Sequence, residues 1–333
     1  MADLIAIIGG DTLLGREVRD AIEQSGLKVR VRQVSTDEVE ASVITRQEDD
    51  LALMPALDAA SLEGVKIAFL TGDASSARKS FEFAASNAVT LVDLSGGLEA
   101  LPSAKLRAPM VEEPGAEQDA THVIAHPAAI ALAIFLQQLK AGREVVRWVV
   151  TICEPASERG KLGVEELQQQ TISLLAFKPL TQKIFDAQLA FNLLPRYGDD
   201  ALVTLAAMEE RIAQHLQALC PLGPQPSLRL IQAPVFHGHV FSIWVEFSQP
   251  VAVDDLEAAL VSDWIDVRSH ETEPPTNTGV AQQSGIQVGA VQFDRANPRA
   301  AWFFVAADNV KLMADNAVQV VKAIVKPKRE RVQ

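Results

Sequence analysis

The stretch that most limits how this chain can fold is THVIAHPAAIALAIFLQQL, residues 121 to 139, in which a short β-forming run ends at His-Pro and an apolar helix begins. Pro127 suits a first helical turn, where its missing N–H costs nothing, and His126 stands at the cap position before it. Ala129 then lies in that first turn. Free backbone N–H groups and the positive end of the helix dipole meet there, so a thiol at such a point would ionise and become nucleophilic. This chain carries a methyl group instead.

The same strand-then-helix grammar starts the chain. IAIIGG is a run of β-formers ending in two glycines, and DTLLGREVRDAIEQSG follows with apolar residues at helical spacing. Gly9, Gly10 and Gly15 stand where a dinucleotide-binding turn needs them, with Thr12 and Leu13 between; Thr12 occupies the position at which backbone would approach a pyrophosphate. A cofactor turn and a purely structural turn both fit. VRVRQVS reads as the second strand, and Thr36, Asp37 and Glu38 follow it. Two carboxylates there would repel a 2′-phosphate, so NAD is favoured over NADP if either binds; a solvated loop is the alternative. VKIAFLTG and VTLVDLSGG supply further strands around the helix ASSARKSFEFAASN, with Gly72 and Gly96 at strand ends where ligands sit in such sheets. The alternation implies a doubly wound parallel sheet, Rossmann-like.

After Glu144 the pattern changes. VVRWVVTIC alternates as a strand, EPASERGKLG reads as a loop and VEELQQQTISLLA as a helix, after which strands dominate. IQVGAVQFD and AAWFFVAAD look like an antiparallel pair, SHETEPPTNTG like a surface loop, and DNVKLMADNAVQVVKAIV like a closing helix. With 333 residues, 48% of them hydrophobic, the chain has enough apolar surface for two domains. No apolar run approaches the roughly 20 residues that span a bilayer, so a soluble, cytoplasmic protein without membrane contact is expected. The net charge of −13 argues against a nucleic-acid partner, and the tail KPKRERVQ reads as a solvated end. Two cysteines, Cys153 and Cys220, are expected to be reduced, with no disulfide framework or cysteine zinc site.

Taken in order, IAIIGGDTLLG, VIAHPAAI, VVTICEPASERGKLGVEEL, AFNLLP, APVFHGHVFSIWVEF, SGIQVGAVQFD and DNVKLMADNAVQ resemble the landmarks of the aspartate-semialdehyde dehydrogenase family nearly end to end. The resemblance implies a homodimer whose subunit has a dinucleotide-binding domain at 1–127 plus 308–333 and an α+β mixed-sheet catalytic and dimerisation domain at 128–307. It also implies reductive dephosphorylation of an acyl phosphate with a nicotinamide cofactor, in which a cysteine attacks, a histidine moves protons and arginines hold the substrate's anionic groups. Carried over residue by residue, the nucleophile position is Ala129 and the asparagine before the proline is His126. The substrate glutamine becomes Glu154. One arginine, seven positions before His239, becomes Gln232, and the phosphate arginine falls on Glu99.

Of that catalytic set only His239 remains, as a retained base or a structural inheritance. Two lost cations and added carboxylates oppose a dianion, each close pair being worth roughly 4 kcal/mol at an effective dielectric near 20. His237 would share a strand face with His239 and so raises a metal reading, but no further ligands are evident, and no metal is expected. Cys153 next to Glu154 would have its thiol pKa raised by the carboxylate, the opposite of activation. Arg159 and Lys161 are either residual positive charge near the site or solvated. The chain is thus expected to be a catalytically silent relative, of the Usg type, acting by binding or regulation. The alternatives are an NAD-dependent oxidoreductase of changed substrate without a covalent intermediate, and a purely structural role.

Overall fold

The structure, a computed structural model, describes residues 2–36, 44–47, 50–85, 87–112, 121–140, 142–269 and 271–325, and side chains for all of these except 44–53 and 85. The chain divides into two compact units, 1–125 with 313–333 and 126–312. His126 and Pro127 therefore group with the helix they begin, and 308–312 with the second unit.

The first unit is built on β1 (Asp3–Ile8), α1 (Leu13–Gln24), β2 (Val29–Val34), a small antiparallel pair β3 (Ile44–Gln47) and β4 (Asp50–Leu53), β5 (Ile67–Leu70), α2 (Ala74–Ala85), β6 (Thr90–Asp93), β7 (Ala104–Arg107) and β8 (Thr121–Ile124). Six strands form a sheet in the order β2-β1-β5-β6-β8-β7, every neighbouring pair parallel. Ile5 to Ile8 and Ile67 to Leu70 are buried at every position, as strands covered on both faces must be. The order reverses between β1 and β5, where the loops of Gly9 and Gly72 meet: a Cβ on Gly9 would stand 2.9 Å from the Gly72 nitrogen. Gly9 has φ +90°, and a Cβ on Gly15 would come within 2.1 Å of the Gly9 carbonyl oxygen, so the turn and the helix it feeds are in direct backbone contact.

The second unit runs through α3 (Pro127–Leu139), β9 (Val145–Glu154), α4 (Gly160–Leu175), α5 (Leu205–Leu219), β10 (Ser227–Gln232), β11 (His239–Phe247), α6 (Val253–Leu260), β12 (Ile265–Arg268), β13 (Ile286–Phe293) and β14 (Ala300–Ala307). Its sheet has the order β10-β9-β11-β14-β13-β12 and is mixed, with β10/β9 and β12/β13 parallel and the three central pairings antiparallel. α7 (Asn309–Val325) begins in this unit and ends in the first. α3 is apolar on all sides and nearly all of it is buried.

The segment expected to be a loop, EPASERGKLG, is instead a 3-10 turn, Ala156–Arg159, running into α4 at Gly160. Glu154, Ser157, Glu158 and Arg159 look solvated in the sequence but point inward, and only Lys161 stays exposed. α5 and α6 also interrupt the stretch expected to be mostly strand; Thr204 caps α5 by accepting from the Ala207 N–H at 3.2 Å. α4 buries two polar residues that pin the following segment. Glu166 Oε2 accepts from the backbone N–H groups of Lys183 and Ile184 at 2.6 and 2.8 Å, and Gln170 Oε1 accepts from Leu189 at 2.7 Å. That segment carries Tyr197, the only tyrosine of the chain, packed edge-on against Phe185 at 5.4 Å. Among the described residues no helix is long and apolar enough to cross a membrane.

Candidate functional site

His126 caps α3, its Nδ1 accepting from the Ala128 N–H at 3.2 Å, while its own N–H donates to His215 Nδ1 at 2.9 Å. An accepting Nδ1 places the ring proton of neutral His126 on Nε2, an assignment made from the hydrogen bond. Ala129 follows in the first turn, fully buried. The position suited to a thiolate is a methyl packed against its neighbours.

Three strands then bring a polar row together. Gln232 pairs with Glu154 across β10 and β9, and the Val240–Cys153 pair sets His239 beside Glu154 across β9 and β11. All three side chains are completely buried. Glu154 is nevertheless not the uncompensated charge its sequence position implied. Arg159, five residues on and folded back by the 3-10 turn, donates from Nη2 to Glu154 Oε1. Tyr197 donates to Gln232 Oε1 at 2.6 Å and lies 3.5 Å from Glu154 Oε1, and Arg159 Nε donates to the Tyr197 hydroxyl at 3.4 Å. Gln232 Nε2 donates to the Glu154 and Ala233 carbonyls at 2.8 and 3.1 Å. Burial and the Glu154 carboxylate push the Tyr197 phenol well above its usual range, so it stays a donor. Arg159 is a buried partner, whereas the Lys161 side chain is 61% exposed beside Glu165.

Glu158 lies on the same turn between two histidines. Its Oε2 is 3.4 Å from His126 Nε2 and its Oε1 is 4.0 Å from His239 Nδ1. Asn309 holds it, donating from Nδ2 to Glu158 Oε1 at 2.8 Å and accepting from the Gly238 N–H at 3.2 Å. Burial raises the Glu158 pKa, opposed by Arg159, by the Asn309 hydrogen bond and by Arg211. Burial lowers His239 to about 4, with Glu154 opposing the shift, and lowers His126 well below its ordinary value. Four buried atoms in this cluster have no hydrogen-bond partner: His126 Nε2, Glu154 Oε2, and both ring nitrogens of His239.

His237 does not share a face with His239. Gly238 has φ +84° and β11 starts only at His239, so His237 sits exposed in the preceding turn. Among the described residues no three His, Cys, Asp or Glu side chains could hold a metal. Cys153 points to the opposite face of β9 from Glu154, and it is burial that pushes its thiol up, not the neighbouring carboxylate. The Cys220 thiol is also pushed up by burial, with Lys140 opposing.

Ala129, Glu154, Gln232 and His239 belong to one unit; Glu99, half-buried just after the Gly96 turn, belongs to the other. So do Gly9, Gly10, Thr12, Leu13, Gly15, Thr36 and Gly72, while Asp37 and Glu38 lie outside the described residues. Gly9 takes φ +90° in this turn, but the backbone donors of the helix start that follows are partly spent. The Thr12 hydroxyl accepts from the Gly15 N–H at 2.9 Å and donates to the Gly9 carbonyl at 2.8 Å, with Asp11 adjacent in the turn. The fit to a dinucleotide is therefore incomplete. The residues that reading by spacing missed are Glu158, Tyr197 and Asn309, while Arg159, read as either residual positive charge or solvated, proves to be the former. They come from three separate segments, and only the polarity of SERGK inside an otherwise apolar region hinted at them.

Comparison with known proteins gives a consistent result. Residues 138–312 match the family model described as semialdehyde dehydrogenase, dimerisation domain. A USG-1 protein homolog of Pseudomonas aeruginosa is 32% identical over 280 residues, 81% of this chain and 82% of that one. An aspartate-semialdehyde dehydrogenase of Rickettsia bellii is 26% identical over 330 residues, 97% of each chain. A solved structure described as a probable aspartate-semialdehyde dehydrogenase from Pseudomonas aeruginosa superposes with a TM-score of 0.85 at 28% identity, covering 98% of this chain and 99% of the other.

The buried histidines make stability depend on pH. His239 has an ordinary value of 6.5 and a folded value of about 4. The folded state thus favours the neutral ring, and its contribution is complete above 6.5 and lost as pH falls from there toward 4. His126 acts in the same direction, while Glu158, with a raised pKa, acts oppositely and loses its contribution as pH rises. Denaturant unfolding of the wild type and of His239→Gln across this window should show the wild type losing up to about 3 kcal/mol more than the variant on acidification. Parallel pH profiles would contradict the assignment.

Proposed function

The chain belongs to the semialdehyde dehydrogenase family, and on that footing we propose that it is a dimeric binding or regulatory protein without aspartate-semialdehyde dehydrogenase activity. The observation that carries this reading is Ala129, a buried methyl in the first turn of α3. A methyl carbon has no lone pair with which to attack an acyl carbon, so no thioester forms there. Neither cysteine substitutes, because burial keeps both thiols protonated at neutral pH. The anion-holding side is altered as well: Arg159 is committed to Glu154, and Gln232 is fully bonded to backbone and Tyr197. The reading places the protein in the cytoplasm, where its thiols stay reduced.

The outer face of the second sheet supports a homodimer. Trp148, Val150, Ile152, Phe241, Ile243 and Phe303 point inward and are buried. The alternate residues Val149, Trp244, Trp302 and Phe304 form a cross-strand apolar patch in which Trp244 is opposite both Val149 and Trp302, and Val149 and Trp302 are 43% and 39% exposed. Such a patch on one sheet face is self-complementary about a two-fold axis. Light scattering should give about twice the 36.0 kDa chain mass for the wild type and the chain mass for Trp302→Glu. A monomeric wild type would remove this part of the proposal.

A second reading, an NAD-dependent oxidoreductase of changed substrate, is favoured by the meeting of the Gly9 and Gly72 loops where the sheet order reverses. One experiment separates the two. Purified protein given aspartate semialdehyde, phosphate and NADP or NAD should show no turnover above the uncatalysed rate, and titration of NADH should leave its fluorescence unchanged. Turnover at an ordinary enzymatic rate would overturn the first reading, and saturable NADH binding would favour the second.

A further inference from the structure

We infer that the glycine turn between β1 and α1 is a clasp closed by its own side chains, and that Thr12 is the residue that keeps a nicotinamide dinucleotide out of it. The inference concerns the first unit alone and goes beyond the reading of the site in the second. In an open parallel sheet a dinucleotide lies in the crevice where strand order reverses, with its pyrophosphate against the first turn of the following helix. That arrangement needs the backbone to approach closely at the middle position of the turn, and it needs the N–H groups of the helix start to be free. Here the middle position is Thr12. Its hydroxyl oxygen accepts from the Gly15 N–H at 2.9 Å and so takes a donor that a phosphate oxygen would use.

The hydroxyl proton ties the turn across the crevice. It is within reach of the Gly9 carbonyl at 2.8 Å and the Thr71 carbonyl at 3.0 Å, and Thr71 directly follows β5, on the far side of the reversal point. The buried Thr71 hydroxyl reaches back to the carbonyls of Ile8 and Gly9 at 2.9 and 3.0 Å, and the Gly9 N–H donates to the Val34 carbonyl at the end of β2 at 2.8 Å. The loops after β1 and β5 are thus joined by two hydroxyls where a cofactor would have to lie. Other side chains fill the rim. Gln33 on β2 packs so closely on Gly10 that a Cβ there would stand 2.9 Å from its Oε1, and a Cβ on Gly72 would collide with the Thr36 methyl and the Ser76 hydroxyl. Asp11, half-buried beside Thr12, adds a carboxylate that a pyrophosphate would have to face. Each of these contacts holds the turn together without a ligand.

The test is titration of the full-length protein with NADPH and with NADH, read by cofactor fluorescence and by melting temperature, for the wild type, Thr12→Ser and the double variant Asp11→Asn, Thr12→Gly. Serine keeps the hydroxyl, so neither it nor the wild type should bind either cofactor saturably or melt higher in its presence. The double variant should melt lower than the wild type on its own. It should bind NADPH or NADH saturably, at least about tenfold more tightly than the limit set by the wild type, and melt higher once the cofactor is added. Saturable binding by the wild type or by Thr12→Ser, or a double variant that gains none, would overturn the inference. Should the double variant fail to fold, hydrogen exchange of the wild type decides. The Gly15 amide should then exchange slowly, as a bonded donor does, and no more slowly with NADPH present; fast exchange there, or slowing by NADPH, would overturn the inference as well. Cofactor binding without turnover of aspartate semialdehyde would sink this inference and leave the absence of dehydrogenase activity standing.

Discussion

A carboxylate buried on the covered face of a sheet must be neutralised locally or it destabilises the sheet around it, and the second unit is arranged around how this is done for Glu154 on β9. Desolvating such a group costs several kcal/mol, which only a close, hydrogen-bonded cation offsets. Arg159 is that cation, and it reaches Glu154 because the chain after β9 folds back through a 3-10 turn. The turn then sets Glu158 between His126 and His239, and α4 pins the segment that brings Tyr197 over Gln232. One buried charge thus accounts for the positions of residues drawn from β9, β10, β11, α3, α7 and two loops.

The same network determines what the site can do. A histidine that burial holds at a pKa of about 4 is a weak base at neutral pH, and its ring lies 5.9 Å from that of His126, the cap of a helix whose first turn holds alanine. The carboxylates of Glu154 and Glu158 lie beside His239, and the nearby cation, Arg159, is spent on Glu154 and not free for an acyl phosphate. Family membership supplies the architecture, but the chemistry depends on the side chains set into it. Here those side chains favour holding a ligand over transforming one.

Much of the frame was legible in the sequence because it depends on local rules. The parallel sheet follows from glycine-terminated apolar runs alternating with helices. The start of α3 was readable from His-Pro, and the caps at Thr12 and Thr204 obey the same local chemistry. What escaped was long-range. EPASERGKLG has a loop's composition, yet Glu158 and Arg159 are buried because they neutralise and bridge groups from other segments. Glu166 and Gln170 look like the exposed side of α4 but serve backbone N–H groups up to twenty residues away. Tyr197 carries no local signal at all, and the supposed His237–His239 pair failed because Gly238 turns the chain just before β11 begins.

The Glu154–Arg159 pair is an internally closed contact, and a double-mutant cycle in the unfolding free energy tests that most directly. Arg159→Met alone should cost about 3 to 5 kcal/mol by leaving a carboxylate buried without its partner, Glu154→Gln alone a comparable amount, and the double variant less than the sum by about 2 kcal/mol or more. Additive losses would mean that the two side chains do not depend on each other, and the arrangement described for the site would fall with them.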